Sequence, residues 1–378
     1  MLDILSRPFR VQSLDKNTQA FLELVTAGLW EKEVQLTPYE PIDFKEIYRL
    51  AQEQSVVGLV AAGLEQVKDI HFPKEDVLTI VGDALQLEQR NNAMNNFIGV
   101  IVEKMRKAGI YTLLVKGQGV AQCYAKPQWR ACGDVDLLLS PVNYNKAKVF
   151  LSPLASSIDE EDMRRKHLGM SIDSWIVELH GAFPFGISAR VDKVINEAQD
   201  DVFYYGSVRT WMNGDTQVFL PLPDNDVIFI FTHFLHHFFI EGVGLRQICD
   251  WCRLLWTYKD SIDKKLLEKR LHEAGLVSEW GAFASLAVNY LGLPEDAMPL
   301  YTDSRSYKSK AKRLLRRIIK TGNMGHNNDV SYRTKQAPFI ANIITFFRRF
   351  TDFFELSFVF PLDAPKFFMN YLFNRLRG

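Results

Sequence analysis

Cysteine is scarce. The four thiols, Cys123, Cys132, Cys249 and Cys252, are too few in 378 residues to staple a disulfide scaffold, and they suit a reducing compartment. A bilayer-spanning run is missing as well: the longest apolar stretch, Val227 to Ile240, falls short of the roughly 18–20 residues a span needs and is interrupted by His233, His236 and His237. The opening MLDILSRPFRVQSLDKN places Asp3, Arg7 and Arg10 ahead of any apolar middle. No secretory signal is therefore expected, and the expected location is cytoplasmic. Net charge is also lacking, with 45 basic and 45 acidic side chains. The balance of charge argues against nucleic acid as a partner, since that binding needs a strong basic face. Internal repeats and low-complexity segments are absent.

The length is enough for two or three globular units of about 100–200 residues each. The neutral total hides an asymmetry. Residues 305–378 hold 15 Lys/Arg against 4 Asp/Glu, and 11 of the 27 Phe lie between Phe339 and Phe373. Residues 17–70 carry apolar positions at the helical period (Phe21, Leu22, Val25, Leu29, then Ile47, Leu50, Ala51, Val57), with Pro38 and Pro41 between two helices. A long helix is expected from about Lys74 to Lys107, stopped by Gly109.

The texture then changes to short β-type runs: Tyr111 to Val115, Asp134 to Leu139, and one or two strands between His167 and His180, the clearest being Trp175 to Leu179. Short helices at Val120 to Ala125 and Pro141 to Phe150 separate them, which implies a small α/β unit. From Asp224 the pattern is helical again, through the His-rich segment, Leu245 to Tyr258, Lys264 to Ala274, Glu279 to Leu291 and Tyr307 to Lys320. Thr321 to Gln336 reads as a polar linker, and the last forty residues resume helical spacing. The expected fold class is α+β, a small mixed-sheet core flanked by helical regions. Its expected segments are 1–108 (helical), 109–223 (core), 224–320 (helical) and 321–378 (linker and basic, Phe-rich tail).

The sharpest feature is Gly133-Asp134-Val135-Asp136-Leu137-Leu138-Leu139. Alternation along a strand puts Asp134 and Asp136 on one face and Val135 and Leu137 on the other. Two carboxylates on one face of a greasy strand call for a cation, and Mg²⁺ or Mn²⁺ shared with substrate phosphates is the usual solution. Glu178, in Trp175-Ile176-Val177-Glu178-Leu179-His180, shares a face with His180 and supplies a third acid if the two strands are neighbours. Three carboxylates holding two metals would clamp the attacking and leaving oxygens of an in-line phosphoryl or nucleotidyl displacement. The competing reading of a lone Asp-x-Asp is a solvated strand end.

A phosphate needs positive charge and close backbone approach. Lys116-Gly117-Gln118-Gly119 ends the first strand and opens a short helix, so its amides and the Lys116 charge suit an anion. Arg130, just before Gly133, is placed to fork onto a phosphate.

The stretch LLVKGQGVAQCYAKPQWRACGDVDLLL, followed by WIVELH, resembles the uncharacterised bacterial nucleotidyltransferase family of the polymerase β-like superfamily. The motif-bearing likeness covers about residues 111–181, and a weaker likeness in helical pattern extends over roughly 43–256. The resemblance implies a Mg²⁺-dependent transfer of a nucleoside monophosphate from a nucleoside triphosphate to a hydroxyl acceptor. Asp134, Asp136 and Glu178 match its catalytic metal carboxylates, and Lys116, Gly117, Gln118, Arg130 and Gly133 its nucleotide-binding segment. Gln118 departs from the Gly-Ser turn of many superfamily members, whose hydroxyl and amides hold the triphosphate. That departure leaves a second reading, a non-catalytic nucleotide-binding or scaffold module of the same fold.

Weaker signals surround this constellation. His233, His236 and His237 stand three and four residues apart and, with Cys249 and Cys252, form a set of zinc-ligand type without finger-like spacing. Burial of these histidines in a helical core is the favoured alternative. Arg246 and Asp250 are spaced for a helix-surface ion pair. The resemblance also implies that His180, His233, His237, Arg246 and Asp250 back the site or touch the acceptor. The Phe-rich tail, residues 337–378, reads as a buried stripe first, and as a peripheral membrane or protein contact second.

Overall fold

The computed structural model describes residues 14–163, 165–183, 186–327, 338–361 and 364–369. The N-terminal segment read for a signal, most of the linker, the side chains of Ile343 and Arg349, and the last residues of the tail lie outside these. Four helices come first: α1 (Lys16–Trp30), α2 (Phe44–Glu53), α3 (Val57–Leu64) and the long α4 (Lys74–Lys107). Asp15 and Asp43 start α1 and α2 by accepting hydrogen bonds from first-turn amides.

The core follows as β1 (Leu113–Val115), α5 (Gly117–Ala121), β2 (Asp134–Leu138), α6 (Pro141–Leu151), β3 (Ser157–Ile158), β4 (His167–Ile172) and β5 (Trp175–His180). It is completed by α7 (Ala189–Tyr205), β6 (Val208–Asn213) and β7 (Thr216–Pro221). The remaining helices are α8 (Pro223–Ile240), α9 (Leu245–Thr257), α10 (Lys264–Ala274), α11 (Val277–Leu291), α12 (Arg305–Thr321) and α13 (Pro338–Ser357).

One mixed sheet of seven strands runs in the order β3-β4-β5-β2-β1-β7-β6. The pairs β2–β5 and β1–β7 are parallel, and β1–β2, β3–β4, β4–β5 and β6–β7 are antiparallel. The α+β class expected from sequence is thus observed. The β6–β7 hairpin and α7 were not expected, although Asn213-Gly214 between two β-type runs is a strong hairpin signal.

Strand alternation sorts two apolar cores. On one side of the sheet Val135, Leu137, Val177 and Leu179 pack with Ile98, Ile101 and Met105 of α4 and Tyr144 of α6. On the other, a larger core joins the N-terminal helices to α7–α13, with Trp251, Trp280 and Phe231 in edge-on contacts at its centre. Residues as distant in sequence as Phe21, Leu113, Phe231 and Phe360 share it. The tail divides its aromatics: Phe353, Phe360 and Phe367 are buried against the body, whereas Phe347, Phe350 and Phe354 face solvent. The expected burial of the tail therefore holds for one of its faces.

Helices α1 and α3 cross backbone to backbone. A Cβ on Gly28 would stand 1.9 Å from the Leu59 carbonyl oxygen, and one on Gly63 would stand 2.0 Å from that of Leu24. Gly28→Ala is expected to lower stability by about 1–3 kcal/mol, because these backbones must separate to admit a methyl. Urea denaturation checks this; an unchanged midpoint would mean that the crossing is not tight.

Candidate active site

The β2–β5 ladder fixes the acidic side. Asp136 stands opposite Glu178, and Asp134 opposite Ile176, in a parallel register. With the intervening Val and Leu packed on the back of the sheet, Asp134, Asp136, Glu178 and His180 share the front face. They line a cleft of about 280 Å³ whose far wall is built from α8 and α9. The chain enters the cleft through a tight turn after β1, where Lys116 takes a left-handed φ of 56° and Gly117 one of 37°. Such a conformation at a non-glycine residue costs energy and is held by its surroundings.

Lys116 and His180 neutralise part of the acid. Lys116 Nζ lies 2.6 Å from Asp136 Oδ1, and His180 Nε2 lies 2.7 Å from the same oxygen. Glu178 Oε2 is 3.5 Å from His180 Nε2 and 3.2 Å from Nε2 of His167, the cross-strand neighbour of His180 on β4. Burial opposes the charge on Glu178, but hydrogen bonds from His167 and His180 and the Lys116 charge hold its carboxyl well below the usual range. Asp134 goes the other way: the neighbouring Asp136 charge, then burial, push it up. Burial alone would lower Lys116, yet the three carboxylates raise it.

Lys116, His167 and His180 surround the carboxylates on the front face. The donors on Asp134, Asp136 and Glu178 are hard oxygens that suit a divalent ion of the Mg²⁺ type. Among the described residues, the group whose potential ligand atoms lie within 4.8 Å of one another is His167, Glu178 and His180, joined to Asp136 through His180.

The opposite wall carries histidines and Arg246. His233 Nε2 on α8 is 3.3 Å from Lys116 Nζ and 3.2 Å from His237 Nε2. Burial, then the Lys116 charge, lowers the His233 imidazole well below its ordinary value, and burial with the His237 charge pushes His236 down to about 3. Arg246 of α9 donates from Nη1 to the Ala131 carbonyl at 3.0 Å, and its buried Nε has no partner among the described residues. Arg165 also borders the cleft.

Several expectations need correction. Arg130 does not present a free fork: its Nε and Nη2 donate to the two oxygens of Asp250 at 2.9 and 2.7 Å, and both side chains are buried. Tyr124 adds a third bond, its hydroxyl donating to Asp250 Oδ1 at 2.8 Å. Asp250 is consequently the partner of Arg130, not of Arg246. Gln118 turns away from the cleft and donates to Asn91 Oδ1 of α4 at 2.8 Å. Gly133 is exposed and does not line the cleft, and α5 is only five residues long. The phosphate cradle read from sequence is therefore reduced to Lys116 and Gly117. Cys249 and Cys252 lie in the core with thiols pushed up by burial, and they do not join the histidines of α8 in a zinc-type set. His167, Arg165 and Tyr124 were missed; His167 was within reach of strand reasoning, since β4 pairs with β5 and puts it beside His180.

The Arg130–Asp250 pair locks α9 to the loop before β2. Burial would raise the Asp250 carboxyl, but Arg130 holds it below its ordinary 3.8. A depressed value adds stability that is complete above about pH 4 and is lost as pH falls through the folded value. Asp250→Asn is expected to cost about 3–5 kcal/mol at neutral pH by stranding a buried guanidinium. The gap from wild type should narrow in acid. Urea titrations at both pH values check this, and a gap that stays constant would show that the pair carries no such load.

Comparison with curated proteins and with solved structures found no match. The family described as "Uncharacterised nucleotidyltransferase" matches residues 40–292, which takes in α2 through α11 and every residue of the cleft named above. With more than half of its length matched, the chain belongs to this uncharacterised nucleotidyltransferase family.

Proposed function

We propose that the cleft transfers a nucleoside monophosphate from a nucleoside triphosphate to a hydroxyl acceptor, with Mg²⁺ (or Mn²⁺) held by Asp134, Asp136 and Glu178. The observation that carries this reading is the β2–β5 register, which aligns three carboxylates on one face of a cleft that Lys116 and Arg246 also line. A bound divalent ion supplies Lewis-acid charge at the transferring phosphoryl group.

The chain's own groups do the rest. Lys116, which pairs with Asp136 here, would be free to turn to the phosphates where a divalent ion neutralised the carboxylates. Arg246, which lines the cleft, replaces Arg130 as the phosphate-binding guanidinium. Arg130 and Asp250 act behind it, holding α9 at its distance from β2. One of the front-face carboxylates takes the proton of the acceptor hydroxyl. The new bond joins the acceptor oxygen to the α-phosphorus, the bond to the bridging oxygen breaks, and pyrophosphate leaves. His180, His233 and His237 line the cleft near this centre and orient phosphate or acceptor.

The inward turn of Gln118 favours a second reading, a module of the same fold that binds nucleotide without transferring it. Calorimetric titration of each nucleoside triphosphate with Mg²⁺ tests the site. Wild type should bind at least one, Asp134→Asn/Asp136→Asn should lose the metal-dependent binding, and Arg246→Gln should weaken it about 10- to 100-fold. Absence of binding to any triphosphate would contradict the proposal. Binding without transfer of labelled nucleotide to cell-extract acceptors would favour the second reading.

A further inference from the structure

Helix α13 has two apolar faces: one packs against the body, and the other, apart from contacts of Phe346 and Phe350 with Phe368, is left open among the described residues. Its inner face buries Phe353 and Leu356, and the chain beyond it sets Phe360 and Phe367 against Phe239 of α8, with ring centroids 6.0 and 4.8 Å apart. On the outer side, Phe339, Ile340, Phe346, Phe347, Phe350 and Phe354 fall within an arc of about 120° at about 100° per residue. All six are exposed, Phe339 to 75%, Phe347 to 63% and Phe354 to 56%. A contiguous aromatic stripe of this kind marks an interaction surface.

Charge decides the kind of partner. From Pro338 to Thr351 the sequence has no Asp or Glu. The first acids, Asp352 and Glu355, turn to Arg317 of α12 at 3.4 and 3.2 Å. The neighbouring α12 carries eight Lys/Arg and no Asp/Glu in RSYKSKAKRLLRRIIKT. Exposed Arg313 reaches the Phe358 carbonyl at 3.3 Å, at the end of the stripe. A two-fold pairing of this face with a second copy would bring two basic helices together. An anionic lipid surface satisfies both features, because aromatic rings enter the headgroup boundary while Lys and Arg meet the phosphates. No helix among the described residues is long and apolar enough to cross a membrane.

We infer that α13 lies in the plane of an anionic bilayer surface, with its outer Phe stripe inserted and α12 supplying the electrostatic attraction. This surface stands apart from nucleotide transfer, so neither reading depends on the other.

Co-sedimentation of the full chain with phosphatidylcholine vesicles, with and without phosphatidylglycerol, tests it. Wild type should pellet with the anionic vesicles and lose that association in high salt. Phe347→Ser/Phe350→Ser/Phe354→Ser should weaken binding about tenfold or more, and Arg313→Gln/Lys320→Gln should reduce the preference for phosphatidylglycerol. Circular dichroism and nucleotide binding of the Phe variant confirm that it is folded. Wild type remaining in the supernatant with both vesicle types would overturn the inference, as would equal pelleting of the folded Phe variant. A wild-type dimer in solution that the Phe substitutions convert to a monomer would overturn it in favour of a self-interface.

Discussion

The parallel pairing of β2 with β5 is the constraint on which the site depends. Because side chains alternate along each strand, one register places Asp136 across from Glu178 on the cleft face and sends Val135, Leu137, Val177 and Leu179 to the core beneath. A slip of one residue would exchange the two sets, putting an acid into the apolar layer and greasy side chains into the cleft. The hydrophobic layer formed with α4 and α6 thus specifies the chemistry above it. The acids need no separate device to bring them together.

Collecting carboxylates in a buried cleft creates a debt of positive charge, and the molecule meets it with groups drawn from distant segments. Lys116 arrives from the β1 turn and His180 from β5 itself, both on the same oxygen of Asp136. The family match takes in every group named here, and under the proposed function a cation and a polyanionic substrate would share this cleft. Arg130 pairs with Asp250 through two hydrogen bonds, with Tyr124 on the same carboxylate, while Arg246 lines the cleft. The rest of the fold, from the Gly28 crossing of α1 with α3 to the aromatic centre around Trp251, holds α8 and α9 against the sheet at the distance this requires.

Much of this was legible in the sequence because it is written in short periods. The Asp134-Val135-Asp136 alternation and Glu178 with His180 follow from strand geometry, and the long α4 from its apolar stripe and its stop near Gly109. Partner choice was not legible. Arg246 and Asp250 have the spacing of an ion pair, but a buried, bidentate Arg130 competes for the same carboxylate and prevails. Gln118 occupies the position of a phosphate-binding hydroxyl in related motifs, yet the Asn91 amide oxygen and the apolar wall of α4 draw it inward. The β6–β7 hairpin escaped because its strands are half exposed and lack a strong apolar signature, leaving Asn213-Gly214 as the main cue. The tail showed why a helix with aromatics all round resists a single assignment: one face is core and the other surface.

On the proposed function, the three front-face carboxylates would exchange their protein cations for a metal ion. The most direct measurement is a crystal structure with Mn²⁺ and a non-hydrolysable nucleoside triphosphate, with the ion located by anomalous scattering. Manganese coordinated by oxygens of Asp134, Asp136 and Glu178, with Lys116 released toward the phosphates, is the expected result. Manganese bound elsewhere, or a triphosphate bound while Lys116 still pairs with Asp136 and no ion lies among the carboxylates, would contradict it.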